Sequence, residues 1–116
     1  MKNYRDLLGI RYELYGRSKR GLDCKGLAIE VLRRSGIELK DIKGENDFID
    51  CTRIENYEEN AIIEMTFADA NHIGVYIGEG LMIHARRDVG VIIEPVRRYS
   101  NNIRGIYKVN DKHIQK

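Results

Sequence analysis

The most constraining feature of this chain is the rhythm of its second half. Five short segments follow one another there: 61–67 (AIIEMTF), 72–77 (HIGVYI), 81–86 (LMIHAR), 89–96 (VGVIIEPV) and 104–109 (RGIYKV). Each is β-branched or aromatic in character and bounded by Gly, Asp or Asn, which is the pattern of short strands joined by tight turns. This predicts an antiparallel meander. Ahead of it stands a different period. From Cys24 onward, Leu27, Ala28, Val31 and Leu32 recur at the spacing of one helical face. Arg33 and Arg34 suit the negative end of that helix, and Ser35-Gly36 is a stop, with Gly36 free to turn left-handed. Residues 2–9 predict a further short helix with Leu7 and Leu8 as its apolar edge. Residues 37–60, rich in Asp, Glu, Asn and Lys, predict a short helix and a loop. Helices first and a meander second make an α+β plan, with N-terminal helices packed on an antiparallel sheet of five to six strands.

Composition narrows the class. A chain of 116 residues, 42% hydrophobic and 33% charged, fits a single packed domain over residues 1–116. Its aliphatic runs are only about three residues long, as in Val91-Ile92-Ile93, so no membrane span of about 20 residues is expected. A net charge of +2 does not point to nucleic acid, and no nucleic-acid motif accompanies the Arg pairs. Two cysteines, Cys24 and Cys51, are too few for a disulfide scaffold. The opening residues alternate in polarity and show no secretory signal.

Chemistry gathers on Cys24 and two histidines. A thiol at a helix N-terminus sees the positive end of the dipole, which favours the nucleophilic thiolate. The alternative is a small buried hydrophobe, as most cysteines are. A nucleophilic cysteine needs a base. His113 lies in the polar tail and is expected to be solvated. His72 and His84 both avoid the more aliphatic face of their strands, and they flank the turn signal Gly78-Glu79-Gly80. If the hairpin is centred on Gly78 they sit directly opposite. Any odd-length loop keeps them on one face, whereas a two-residue turn puts them on opposite faces. The alternative is two half-exposed histidines with no shared role. A zinc site from Cys24, Cys51, His72 and His84 is disfavoured, because every gap exceeds the close ligand pairs such sites use. Cys51 reads as a packed structural thiol, and no metal or cofactor is expected.

Two motifs carry a family resemblance. YELYGRSKRGLDCKGL (residues 12–27) resembles the Y-x-W-G-G…D-C-S-G-L signature of NlpC-type cysteine peptidases, and NHIGVYIGEGLMIHA (71–85) resembles their H-V-G-I-Y-I-G-x-G-x-x-I-H-A segment. The resemblance covers most of the chain except residues 37–60. It implies a papain-like α+β fold and hydrolysis of amide bonds in peptidoglycan stem peptides, typically between D-glutamate and the diamino acid. It implies Cys24 as nucleophile, His72 as base and His84 as the residue that orients it. Tyr12 aligns with the tyrosine of the oxyanion site, and Asp23 with the acid that receives the substrate's amine. Arg17, Arg86, Arg87, Arg97 and Arg98 are candidates for attracting carboxylate-rich peptidoglycan. Leu14 and Tyr15 stand where the family has Trp and Gly, and Lys25 replaces Ser or Gly. With no leader, the expected settings are a phage tail or tail-like particle, the cytoplasm, or a piece of a larger secreted protein. A structural tail-assembly protein that keeps the fold without turnover is the alternative.

Overall fold

The computed structural model describes residues 3–41, 48, 50–68 and 70–110. His113 lies outside them. The chain opens with turns at Tyr4–Leu8, where Leu7 N–H donates to Tyr4 O at 2.9 Å, rather than with the helix expected over 2–9. Arg34 explains how this segment is held. It grips Asp6 through two hydrogen bonds of 2.8 and 2.6 Å, so side-chain pairing replaces helical bonding. Two short strands, β1 (Arg17–Ser18) and β2 (Gly21–Leu22), form a small hairpin in the basic stretch.

Helix α1 runs Cys24–Arg33 and buries Leu27, Ala28, Ile29, Val31 and Leu32. Asp23 caps it, accepting from Gly26 N–H at 2.8 Å. The predicted stop holds. Gly36 has φ +77°, and Ile37 N–H reaches back to Leu32 O at 3.0 Å.

The main sheet contains β3 (Cys51–Ile54), β4 (Ile62–Phe67), β5 (Ala70–Gly78), β6 (Leu81–Arg86), β7 (Gly90–Pro95) and β8 (Ile103–Val109), in the spatial order β3-β8-β4-β5-β6-β7 with antiparallel neighbours. Four strands form the expected meander. The last does not continue it. After Pro95 the chain enters a 3₁₀ turn, Val96–Tyr99, and β8 returns to pair with β4. Proline has no N–H to extend a ladder, and Val96 drops into the apolar cluster on that side, so the chain crosses instead of turning back. β3 pairs with β8 inside the segment expected to be helix and loop.

The sheet has two covered faces. Ile62, Val75, Ile77, Ile83 and Val91 pack against α1. Ile63, Met65, Met82, Val96 and Ile106 form a smaller cluster on the other face.

The β5–β6 hairpin decides where the histidines point. Its turn is the two-residue Glu79-Gly80, with φ +55° and +79°, the left-handed pair of a type I′ turn. On its own that turn would place His72 and His84 on opposite faces. The register shifts between Tyr76↔Met82 and Gly78↔Leu81, leaving Ile77 as an extra residue. The bulge restores the parity. Both histidines share a face, diagonally, with His84 falling across from Gly74 rather than His72. A Cβ at Gly74 would lie 3.2 Å from the His84 Cβ, so a larger residue there would crowd the second histidine.

Candidate active site

A cleft of about 350 Å³ opens where α1 begins, β5 starts and β6 ends. Cys24, Tyr12, His72, His84, Arg87 and Tyr99 are among its lining residues. A larger hollow, about 740 Å³, runs beside α1 and residues 36–41, but neither a thiol nor a histidine lines it.

Local structure explains Cys24's position. Leu22 N–H bonds Arg11 O at 3.1 Å, and Tyr12 bridges Leu22, so the tyrosine strand lies alongside the entry to α1. Asp23 then fastens the helix start. Besides Gly26 N–H, it accepts from Tyr15 N–H at 2.8 Å and from Arg17 Nη1 at 2.7 Å. Arg17 also binds both oxygens of Asp41, at 2.8 and 3.0 Å. Asp23 is only 6% exposed, and neither it nor Arg17 lines the cleft. The glycines are steric. A Cβ at Gly26 would strike the Gly16 carbonyl oxygen, so the loop and helix can meet only with glycine there. Tyr15, at the position where the family has glycine, is held at φ +65°, a conformation that costs a tyrosine about 1–2 kcal/mol.

The histidines form a chain of hydrogen bonds. His72 Nε2 and His84 Nδ1 are 2.8 Å apart, and His84 Nε2 lies 2.7 Å from Glu94 Oε1. Glu94 is 2% exposed and accepts further bonds from Tyr99 OH at 2.6 Å, Arg98 at 2.8 Å and Arg86 at 3.2 Å. Burial pushes its carboxyl upward, but the bonds from Tyr99, His84 and Arg98 outweigh this and hold it at about 2. Burial, His84 and Arg87 pull His72 down to about 4. Burial also lowers His84, against the pull of Glu94.

These directions fix the protons. An ionised carboxylate only accepts, so His84 must donate from Nε2. A neutral His84 then carries its lone pair on Nδ1 and accepts from His72 Nε2–H. The lone pair of a neutral His72 is therefore on Nδ1, the nitrogen left to act as a base. Tyr12's phenol is pushed up by burial and by Cys24, which keeps it a hydrogen-bond donor.

Sequence reasoning missed Glu94 and Tyr99, and it named Arg87 only as one of five arginines that could attract a carboxylate-rich substrate. Glu94 had a signal: it is the single acid in VIIEPV. The observed Arg86↔Gly90 turn places it across from Met82, one diagonal step from His84. Nothing in the sequence marked Tyr99, since the crossing after Pro95 brings it to the site. Cys51, on β3, does not line the cleft, and burial raises its thiol. Among the described residues no group of three or more His, Cys, Asp or Glu side chains is placed to hold a metal ion.

Comparison with known proteins finds relatives over most of the chain. The model of the NlpC/P60 family matches residues 9–106. A murein DD-endopeptidase/LD-carboxypeptidase, MepS of Escherichia coli K12, is 31% identical over 96 residues, covering 80% of this chain and 51% of that protein. A probable endopeptidase, the NlpC homolog of Haemophilus influenzae, is 33% identical over 91 residues, covering 78% and 49%. The chain thus spans about half the length of these relatives. A crystal structure of an NlpC/P60 family protein from Bacillus cereus superposes with a TM-score of 0.76 at 24% identity, over 90% of this chain and 37% of that one.

Proposed function

The chain belongs to the NlpC/P60 family, and from that premise we propose that it is a cysteine hydrolase of peptidoglycan stem peptides, acting as one domain over residues 1–116. The observation that carries the reading is the cleft in which Cys24, at the start of a helix, and His72, with its lone pair directed by His84 and Glu94, come together. Cys24 is the nucleophile, His72 the base and His84 the orienting residue.

In the proposed reaction Cys24 gives its proton to His72, and the sulfur attacks the amide carbonyl. The carbonyl oxygen takes up negative charge, which the Tyr12 O–H stabilises by donating to it. As the C–N bond breaks, His72 returns the proton to the leaving amine and a thioester remains. Water, deprotonated by His72, then hydrolyses the thioester and frees the thiol. Asp23 and Arg17 act by fastening the helix start, since their polar atoms are engaged with each other and with the backbone. The bond is the one between D-glutamate and the diamino acid, as the family resemblance implies. Delivery by a phage tail or tail-like particle belongs to the same reading and rests on that resemblance. Finding the chain in purified particles tests it.

The relatives' names support a wall substrate: one is a murein endopeptidase, the other a probable endopeptidase. The direct experiment is to incubate the protein and its Cys24→Ala variant with purified muropeptides of several stem types and separate the products. Cleavage by the first and not the second is expected. If the intact protein cuts none of them, the assignment fails.

A further inference from the structure

Arginines are common around the cleft, and most are already occupied. Arg86 is held by Asp88 at 2.6 and 3.0 Å and by Glu94, Arg98 by Glu94, and Arg17 by Asp23 and Asp41. Arg87 differs. It is exposed, it lines the cleft with Cys24 and His72, and no carboxylate pairs with it among the described residues. Its neighbour Asp88 is taken by Arg86. Instead the Arg87 guanidinium lies over the Tyr12 ring, 5.3 Å from the centroid. Stacking of this kind holds a guanidinium by its face and leaves the N–H edge open, the edge that fits a carboxylate with two parallel bonds.

We propose that Arg87, held on Tyr12, is a specificity residue that receives a substrate carboxylate beside the amide bond attacked by Cys24. The ligand class is a peptide with a free carboxylate close to its scissile carbonyl, as opposed to one whose carboxyl is amidated. Two observations meet in this assignment: a stacked, unpaired cation, and its place in the cleft that holds the thiol. The field of Arg87 reaches the reacting centre, since it contributes to the low affinity of His72 for a proton. The inference rests on the hydrolase reading for the identity of the substrate, but not for the existence of the anion site.

The test uses two small reagents of nearly the same size. Iodoacetate and iodoacetamide both alkylate a thiolate, forming an S–C bond with loss of iodide, and differ in that only the first is an anion. The rates at Cys24 are followed by mass spectrometry of the Cys24 peptide. The readout is the ratio of iodoacetate to iodoacetamide rates, which cancels changes in thiol reactivity. That ratio is expected to fall about tenfold in Arg87→Gln, the scale of one charge-assisted hydrogen bond, and to lie between the two in Arg87→Lys. Thermal melts establish that each variant is folded, and Arg87→Lys carries the test if the glutamine variant is not. A ratio equal within about twofold in the wild type and variants overturns the proposal. Stem peptides with a carboxylate or a carboxamide beside the scissile bond separate the two readings. If the ratio falls but neither peptide is cut, the anion site stands and the hydrolase reading fails. If both peptides are cut with the same KM by wild type and Arg87→Gln, the hydrolase stands and the Arg87 assignment fails.

Discussion

Replacing Glu94 with glutamine keeps the shape of the side chain and removes its charge. In the protein Oε1 accepts from Tyr99 OH and His84 Nε2, and Oε2 from Arg98 and Arg86. A glutamine oxygen can serve the first pair, but its NH₂ then faces two guanidinium groups, donor against donor. Those arginines are 59% and 34% exposed and turn to water, so each accounts for only ~0–1 kcal/mol. The bonds from His84 and Tyr99 lose their charge assistance, roughly half of ~1.5–3 kcal/mol each. The sum is about 1.5–5 kcal/mol, and at about 4 °C per kcal/mol the melting temperature drops by about 6–20 °C at pH 7. The pKa gives an independent check. A carboxyl held at about 2 instead of 4.5 corresponds to about 3 kcal/mol. The folded pKa is depressed, so this contribution is present above pH 4.5 and is lost as pH falls toward 2. The gap between wild type and Glu94→Gln is therefore full at pH 7 and shrinks on acidification. Circular dichroism melts of both proteins at pH 7, 4.5 and 3 measure it. A gap under ~1 kcal/mol at pH 7, or one that does not shrink in acid, would refute the reasoning.

Three other substitutions probe the scaffold and the cleft. Asp23→Ala removes the cap of α1, the acceptor of Tyr15 N–H and the partner of Arg17, and is expected to cost about 2 kcal/mol in urea unfolding. Gly26→Ala drives a methyl group into the Gly16 carbonyl oxygen; a loss of about 1–3 kcal/mol is expected, read from the urea midpoint. Tyr12→Phe keeps the ring under Arg87 and removes the phenol. Its kcat on a cleaved stem peptide is expected to fall about 10²-fold, with the urea midpoint little changed.

Much of the site was legible because its signals are local. The period of Leu27, Val31 and Leu32 marks α1, and strand alternation puts His72 and His84 off the aliphatic face. The parity condition on the hairpin was also readable, but its outcome depended on a bulge at Ile77. A two-residue turn with a bulge and a three-residue loop leave the same glycines in the sequence. The return of β8 to β4, and the pairing of β3, are contacts across long stretches of chain that local pattern does not encode. Tyr99 was invisible for the same reason, since the crossing after Pro95 brings its phenol to the Glu94 carboxylate. Arg34 shows the opposite limit. Its grip on Asp6 holds residues that lack the length to form a stable helix alone.

The central claim is that His72 activates Cys24. The pH dependence of Cys24 alkylation by iodoacetamide, followed on the Cys24 peptide in wild type and His72→Ala, measures it. At pH 7 the wild-type rate is expected to exceed the variant's by about tenfold or more, because the neutral His72 takes the thiol proton as the sulfur attacks. Equal alkylation rates in the two proteins across the pH profile would contradict the account.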